Sequence, residues 1–280
     1  MDAGALREDG RVVLTGSDFH HAARVMRMQP GDTVQVVVAG RAWAARMEAL
    51  ERDGVRLELL WQAAADPEPR LSLTWLQGLP KGDKIETVVR HACEIGAARL
   101  WVFAGARSVA ELPAGRRDAR LERWRRLAKE TSELAQRARI PAIAYFPSLA
   151  AALDRWSAEE GKDGEAAAQA GAPGPADRMP PAPRTARSLL LAPYEAQDVN
   201  LPAIRSVLLA SPPPSWAAFA IGPEGGFAKA EAAALRGAGA RLCTLGPRIL
   251  RTETAGIVTA AAIMYEWGEL APPAAVDEGT

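Results

Sequence analysis

Two short loop motifs near the C-terminal end constrain this chain more than any other feature. Residues 221–227 read Ile-Gly-Pro-Glu-Gly-Gly-Phe, and residues 245–256 read Leu-Gly-Pro-Arg-Ile-Leu-Arg-Thr-Glu-Thr-Ala-Gly. Each motif follows a short run of strand character and precedes a segment of helical composition. The pattern therefore predicts two glycine-bearing loops at the carboxyl ends of two successive strands, the edge of an open α/β sheet where ligands bind.

The chemistry of the two loops suits a compact ligand with polar groups. Loop glycines carry no side chain, so backbone N–H and C=O groups can reach a ligand directly, and Pro223 and Pro247 stiffen the approach. The alternative interpretation is that the glycines only make tight turns and that Glu224 and Glu253 favour helix N-termini through the helix dipole. Two such loops, separated by one helix and one strand, favour a binding site. The chain contains neither of the common glycine-rich nucleotide motifs.

Composition excludes several classes of protein. The 280 residues are 48% apolar and 24% charged with a formal net charge of zero, which is typical of globular proteins and gives no overall attraction to nucleic acid. Cys93 and Cys243 match no zinc spacing and are interpreted as small buried hydrophobic residues in a reducing compartment. The sequence shows no signal segment, and the uncharged run 255–265 is too short to cross a membrane. We expect a cytoplasmic protein without a metal.

The chain divides into regions of different pattern. Residues 1–67 contain four strand-like runs separated by turn signals, which predicts a small β-barrel. Residues 71–270 alternate strand and helix, which predicts a mainly parallel sheet with helices on both faces. In residues 157–187, 18 of 31 residues are Ala, Gly or Pro, so this segment is predicted to be a disordered insertion, and the tail 271–280 likewise. The strands predicted for the second region are 71–77, 99–104, 142–146, 188–192, 216–221 and 241–245.

Positive charge concentrates in one predicted helix, 116–137. Residues 115–139 carry nine basic and four acidic residues, an electrostatic pattern that fits a phosphate backbone. A solvated helix face with pairs such as Glu122–Arg126 and Glu133–Arg137 explains the same pattern equally well. The three histidines assemble into no catalytic or metal-binding arrangement, so hydrolytic and metal chemistry have little support.

Taken together, these residues resemble the bacterial 16S ribosomal RNA uracil-N3 methyltransferases of the SPOUT superfamily. The two loops, 221–227 and 245–255, match the cofactor loops of that family almost letter for letter. Weaker matches are the barrel signature His21-Ala-Ala-Arg-Val-Met-Arg27 followed by Gly31-Asp32, the helix end at 92–96, Arg123-Trp124, and Glu133, Arg137 and Pro141. The chain departs from the family at Leu134, at His91 and in lacking an Arg-Phe-Phe opening.

The resemblance implies a specific architecture and substrate. It implies an N-terminal PUA-like barrel that binds RNA and a C-terminal α/β domain with a deep trefoil knot, whose loops bind S-adenosyl-L-methionine. It also implies a homodimer with RNA lying across both subunits. The substrate would be one uridine of 16S rRNA near the decoding centre, in the assembled or nearly assembled small subunit.

Candidate site residues follow from the chemistry that the resemblance implies. Uracil N3 must lose its proton before or during methyl transfer, and it lies on the pairing edge, so the base must be unpaired or flipped out. Arg251 is the predicted stabiliser of the uracil anion, and Glu224 and Glu253 are alternative bases. The predicted cofactor contacts are Ile221, Gly222, Pro223, Gly225, Gly226, Leu245, Gly246, Ile249, Leu250 and Thr254. The predicted RNA contacts are Arg24, Arg27, Lys81, Arg137 and Arg139.

Three other functions stay open. A metabolic enzyme could use the two loops for a nucleotide, although the basic helix and the barrel would then have no role. The protein could instead be a non-catalytic RNA-binding factor in ribosome maturation. It could also methylate a different RNA such as tRNA, which offers phosphates to the same kind of basic surface.

Overall fold

A computed structural model of the chain describes residues 11–62, 67–108, 112–159, 188–195 and 200–271. The chain divides into two compact units, one comprising 1–68, 136–139 and 276–280, and the other comprising 69–135 and 140–275. Residues 160–187 of the predicted insertion and 272–280 of the predicted tail lie outside the described residues. Residues 157–159 were predicted to belong to the insertion, but they form the last turn of a helix.

The first unit contains a four-stranded antiparallel sheet. Its strands are β1 (Arg11–Leu14), β2 (Thr33–Val38), β3 (Arg41–Leu50) and β4 (Val55–Gln62), in the order β1-β4-β3-β2. A short helix α1 (Gly16–His20) and one π-helical turn (His21–Val25) follow β1. Alternate residues of the strands face a small core that contains Val12, Val36, Met47 and Leu57, as expected for a sheet with one buried face.

The second unit contains a six-stranded parallel sheet, as predicted. Its strands are β5 (Ser72–Gly78), β6 (Arg99–Phe103), β7 (Ala142–Phe146), β8 (Leu189–Pro193), β9 (Trp216–Ile221) and β10 (Arg241–Cys243). The order is β10-β8-β9-β5-β6-β7. β10 ends two residues before the predicted end, because Thr244 makes only an isolated bridge with Ala203. The trefoil knot stays a prediction.

Helices cover both faces of this sheet. They are α2 (Lys84–Glu94), α3 (Ala114–Leu134), α4 (Leu149–Glu159), α5 (Ile204–Leu209), α6 (Lys229–Gly237) and α7 (Thr252–Glu266). One core cluster packs Trp75 of β5 with residues of α2, α3 and α7. The other packs Leu76, the next residue of β5, with residues of α4 and α6. Successive residues of a strand point to opposite faces, so both faces of β5 are apolar, as expected for a strand buried on both sides.

The basic helix α3 is shorter than predicted. It ends at Leu134 rather than at residue 137, and Gln136 adopts a left-handed conformation with φ of 54° that stops the helix. Arg137 therefore lies outside the helix, so the helical i,i+4 spacing does not apply to Glu133 and Arg137. Glu133 instead lies 3.9 Å from Lys129.

The strand order places a switch point between β5 and β9. The connection that leaves β5 leads to β6 on one side, whereas the connection that leaves β9 leads to β10 on the other side. Connections that leave in opposite directions open a crevice at the carboxyl ends of the two strands, where ligands bind in open α/β sheets. The loop 222–228 lies at this crevice, and the loop 244–251 follows β10 at the same edge.

Candidate active site

The loop after β9 packs tightly against the ends of β5 and β6. Pro223 is buried, and a Cβ atom placed on Gly78 would lie 2.6 Å from its backbone nitrogen. A Cβ on Gly105 would lie 3.0 Å from the Pro223 ring. Real side chains do not tolerate such separations from backbone, so Gly78 allows Pro223 to seat between the two strand ends.

A chain of buried hydrogen bonds joins this loop to the start of α7. Trp75 Nε1 donates to Gln77 Oε1 at 2.9 Å, and Gln77 Nε2 donates to Thr252 Oγ1 at 2.8 Å and to Gly78 O at 3.0 Å. The Thr252 hydroxyl then donates to Gly222 O at 2.6 Å. These consecutive buried hydrogen bonds fix the Gly222 carbonyl relative to the first residue of α7.

Glu224 acts as a link between two loops. Its carboxylate accepts hydrogen bonds from the Lys84 ammonium at 2.9 Å and from the Lys81 backbone N–H at 3.1 Å. Partial burial raises the pKa of Glu224, but the hydrogen bonds from Lys84 and from backbone N–H groups outweigh it, so the pKa lies below its ordinary value. The bond to Glu224 raises the pKa of Lys84. A carboxylate that is already bonded and hard to protonate is a poor general base, which argues against the predicted catalytic role of Glu224.

The loop after β10 is open by contrast. Gly246 has φ of 103°, and a Cβ there would meet no described atom within 4 Å. The Ile249 side chain is 82% exposed, although it is large and apolar. Leu245 and Leu250 are half-buried on either side of it. Ligand sites are lined mainly by apolar side chains, so these three residues can form one wall of a site.

Three predicted residues meet at the start of α7. Arg251 is exposed with an extended backbone, and Glu253 and Thr254 are half-buried in the first turn. Glu253 and Arg251 both act electrostatically on the pKa of Lys84, which places these charges near each other. Glu253 Oε2 is shielded from solvent and has no hydrogen-bond partner among the described residues. A shielded carboxylate oxygen without a partner is costly, so it suits a ligand that brings a donor.

The residues present at this edge fit a nucleoside cofactor. Gly226 has φ of 65° and, like Gly246, faces open space within the described part of the chain. The Gly226 N–H donates to Pro223 O at 2.8 Å and the Gly246 N–H donates to Thr244 Oγ1 at 3.1 Å, so these exposed glycines offer their C=O groups to a polar ligand. Ile249 offers an apolar surface to a flat ring. Gly225 differs from them, because its Cβ would lie 2.9 Å from Arg107, whose guanidinium donates to Gly225 O at 3.3 Å.

The predicted RNA contacts fall into two classes. Arg24, Arg27, Lys81 and Arg139 have exposed side chains, so they are available to a phosphate. Arg137 is different: its guanidinium is about as buried as a core residue, with 5% of the side chain exposed, and lies 2.6 Å from Glu68 Oε2. Breaking this buried pair would leave a charge without compensation. The buried position of Arg137 and its pairing with Glu68 therefore argue against the RNA contact predicted for it.

Several cations of α3 make ion pairs or ring contacts with neighbouring elements. Arg123 bonds Glu86 at 2.6 Å, Arg120 lies 3.9 Å from Asp83, and the Arg117 guanidinium lies over the Tyr145 ring. Arg116 and Arg126 are exposed and carry no ion pair in the described structure. The basic helix is thus compatible both with phosphate binding and with a solvated face of ion pairs. Fewer of its cations are unpaired and exposed than its composition suggests.

Sequence reasoning did not identify Gln77, Lys84 or Thr252. Gln77 is a polar residue inside an otherwise apolar strand, and that interruption was a usable signal. Trp75, two residues earlier, packs on α7 so closely that a Cβ on Gly256 would lie 1.8 Å from its ring. No local pattern predicts that these distant residues meet.

Other chemistries have little basis in the described residues. Burial raises the pKa of the Cys243 thiol to about 12, so this thiol stays protonated and is no nucleophile. Cys93 is buried as well, which confirms the interpretation of both cysteines as core residues. Within the described ranges, no group of three or more His, Cys, Asp or Glu residues is placed to hold a metal ion. No described helix is both long and apolar enough to span a membrane.

Comparison with known proteins gives matches to both units. A family model described as "RNA methyltransferase domain" matches residues 67–264, and one described as "RNA methyltransferase PUA domain" matches residues 14–60. A protein of Mycobacterium tuberculosis named ribosomal RNA small subunit methyltransferase E is 31% identical over 265 residues, which cover 94% of this chain and 87% of that protein. A protein of Bacillus subtilis with the same name is 29% identical over 264 residues, covering 90% and 89%.

Solved structures agree on the fold. A protein described as hypothetical is 28% identical with a TM-score of 0.76, over 94% of both chains. The Neisseria gonorrhoeae ribosomal RNA small subunit methyltransferase E bound to S-adenosyl methionine is 24% identical with a TM-score of 0.71, over 95% of this chain and 97% of that one. At this identity the second likeness supports the fold alone.

Proposed function

Because the chain belongs to the RNA methyltransferase family, we propose that it methylates N3 of one uridine in 16S rRNA of the small ribosomal subunit. The methyl donor in this proposal is S-adenosyl-L-methionine, which supplies an activated methyl group on a sulfonium. Two relatives are named for methylation of small-subunit ribosomal RNA, which supports the substrate class. The position N3 and the uridine are our proposal.

The cofactor would lie at the crevice between the two loops. The backbone of Gly222 and the C=O groups of Gly226 and Gly246 are the proposed polar contacts, and Leu245, Ile249 and Leu250 would flank the adenine. Ile221, Pro223 and Gly225 shape the wall, since Pro223 is buried and Gly225 O is already held by Arg107. Thr254, half-buried in the first turn of α7, completes the proposed set.

Arg251 and Glu253 are the proposed catalytic residues. The Arg251 guanidinium is exposed, always charged and near the other charged groups of the site, so it can stabilise a uracil anion as it forms. Glu253 is preferred over Glu224 as the group that accepts the N3 proton, because Glu253 Oε2 lacks a partner while Glu224 is engaged by Lys84. The role of Lys84 is to hold Glu224 in place.

RNA would be bound by exposed cations of both units. Arg24 and Arg27 of the first unit and Lys81 and Arg139 are the proposed phosphate contacts. The target base must be unpaired or flipped, because N3 lies on its pairing edge. We also propose a cytoplasmic location, which a ribosomal RNA substrate would require.

We propose a homodimer as well. Helix α7 has no charged residue between positions 254 and 265, yet Val258 is 40% and Tyr265 is 76% exposed. Leu209 of the neighbouring α5 is 63% exposed. A helix that is apolar on all sides is normally buried on all sides, so a second copy of this chain is the proposed cover.

The observation that carries the function is the crevice itself. There the fixed loop after β9 and the open loop that ends at Arg251 lie at the same edge of the sheet. The direct test uses purified protein, labelled S-adenosylmethionine, and three acceptors: small subunits, naked 16S rRNA and tRNA. We expect label in 16S rRNA, at a uridine that becomes N3-methylated. Label in tRNA alone would favour the alternative substrate. Cofactor binding without transfer to any RNA would favour a non-catalytic maturation factor.

A further inference from the structure

One tryptophan of the first unit has no packing role that explains it. The chain has eight tryptophans, all within the described residues. Six are at most 7% exposed and Trp43 is partly buried against the core, but Trp61, near the end of β4, is 61% exposed. Tryptophan is a residue type that is enriched at interaction surfaces, because its ring is apolar and its N–H is polar. Trp61 also lies just outside the residues that match the PUA family model, 14–60.

The ring borders a slot on the outer face of the sheet. Gln35 of β2, Ala44 of β3 and Trp61 of β4 are direct cross-strand partners and form one row. Partners in a row point to the same face, and the methyl group of Ala44 leaves a gap between the two larger side chains. This gap is a cavity of about 310 Å³ lined by Thr33, Val34, Gln35, Ala44 and Trp61.

The groups around the slot match the surface of a nucleobase. Trp61 offers a flat face on which an unpaired base can stack, and such stacking accepts any base. The Gln35 amide offers both a donor and an acceptor at the opposite side, and the Thr33 hydroxyl offers another of each. An aliphatic ligand would leave these polar groups without partners.

The charge beside the slot suits a phosphate. Arg46 lies in the next row, directly opposite Thr33, and its side chain is 51% exposed. Its contact with Glu58 is 3.6 Å long and equally exposed, so the pair is weak and can yield to a phosphate.

We propose that the outer face of β2, β3 and β4 binds one unpaired base of the RNA, stacked on Trp61 and hydrogen-bonded by Gln35. This inference rests on the proposed function for the class of partner, an RNA with single-stranded segments. It adds a site in the first unit that is separate from the methyl-transfer chemistry. Through this site, the first unit would hold an unpaired segment of the RNA in preference to a duplex.

The exposed ring gives a direct measurement. Acrylamide quenches exposed tryptophans, so Trp61 supplies most of the quenchable fluorescence of the full chain, and Trp61→Phe identifies its share. A uridine decamer at saturation should protect Trp61 from acrylamide, whereas a blunt RNA duplex of equal length should protect it far less. Trp61→Ala should weaken decamer binding by about tenfold, and Trp61→Phe should retain most of the affinity.

A matched set separates stacking from fold and from charge. Leu50→Ala removes another exposed apolar side chain of the same sheet, 53% exposed, and should leave decamer binding unchanged. Trp61→Ala should lower affinity without changing the slope of log affinity against log salt, because it removes no charge. Arg24→Ala should reduce that slope by about one unit. Unaltered thermal melting of Trp61→Ala would show that the fold is intact.

Three results would contradict the proposed base-binding site. In the first, acrylamide quenches Trp61 equally with and without the decamer. In the second, Trp61→Ala binds the decamer with unchanged affinity. In the third, Trp61 becomes protected from acrylamide as the protein concentration rises in the absence of RNA. The last would indicate that a second copy covers the ring. Methyl transfer by the wild type to 16S rRNA is scored separately, so a failed slot with intact transfer refutes only this inference. Protection by the decamer without any transfer refutes only the proposed reaction.

Discussion

The loop after β9 and the loop after β10 contain the same Gly-Pro step, at Gly222-Pro223 and Gly246-Pro247, but the protein holds them in different ways. In the first loop the Gly222 carbonyl is bonded by Thr252 and Pro223 is wedged against Gly78. In the second loop both Gly246 and Pro247 are exposed. Similar motifs therefore form one fixed wall and one open wall of the same crevice.

This difference assigns different work to the two loops. A fixed wall keeps the geometry of a site within the tolerance that chemistry needs, and its residues act through packing. An open wall leaves its side chains accessible to the ligand. Changes in the first loop should therefore appear mainly as lost stability, and changes in the second loop as lost binding or turnover. The following variants test that division, in order of decreasing expected effect.

Arg251→Ala should have the largest effect, and on turnover alone. Loss of a charge that stabilises the developing uracil anion should reduce kcat by about 100-fold or more, equivalent to about 3 kcal/mol. The Kd for S-adenosylmethionine and the melting temperature should change little, because Arg251 is exposed and lies outside the fixed loop. Single-turnover methylation and calorimetric binding measure the two quantities. Unchanged kcat would remove Arg251 from the catalytic residues.

Gly78→Ala should produce the largest loss of stability. Its Cβ would lie 2.6 Å from the Pro223 nitrogen, so strand β5 or the loop must shift, at a cost of about 2.5 kcal/mol in the free energy of unfolding. Gly246→Ala is the matched control in the open loop, where only the backbone strain of a positive φ applies, about 1 kcal/mol. Urea unfolding compares them. Equal losses would contradict the division between the loops.

Thr252→Val tests the hydrogen-bond chain behind the fixed loop. The change keeps the shape but leaves Gly222 O without its donor, which should cost about 2 kcal/mol of unfolding free energy. Thr252→Ser retains the hydroxyl and should cost much less. A Val variant as stable as the Ser variant would show that these hydrogen bonds do not stabilise the position of α7.

Ile249→Ala should act on the open wall in the opposite sense. With the side chain 82% exposed, its loss should leave the melting temperature unchanged. Affinity for S-adenosylmethionine should fall by about fivefold, equivalent to about 1 kcal/mol, as an apolar contact to the adenine is lost. A lower melting temperature with unchanged affinity would reverse the assignment.

Glu224→Gln should cause the smallest loss, and one that depends on pH. The lowered pKa of Glu224 means that its contribution is present above the ordinary value of 4.5 and is lost as the pH falls through the folded value. The raised pKa of Lys84 means that its contribution is present below 10.5 and is lost as the pH rises through its folded value. The stability difference from wild type should be constant between these limits and decline outside them. Both groups are partly exposed, so high salt should reduce it.

The sequence predicted the strands, the parallel sheet and the two loops, because apolar runs, glycines and prolines act locally. It failed where distant residues decide the outcome. The sequence predicts Arg137 as an RNA contact at the end of a basic helix, but its guanidinium pairs with Glu68, 69 residues earlier in the chain. Glu224 is a candidate base by its sequence, but the ammonium of Lys84, 140 residues away, donates a hydrogen bond to its carboxylate. Motifs identify that two loops matter, whereas only tertiary packing shows which one is fixed.

The central claim is that the open loop carries Arg251 for N3 methylation of a uridine in 16S rRNA. Primer extension along 16S rRNA tests it most directly, because N3 methylation blocks pairing and stops reverse transcriptase. We predict a stop that disappears when the gene is deleted, returns with the wild-type gene, and does not return with Arg251→Ala. An unchanged profile after deletion, or a stop restored by Arg251→Ala, would contradict the account.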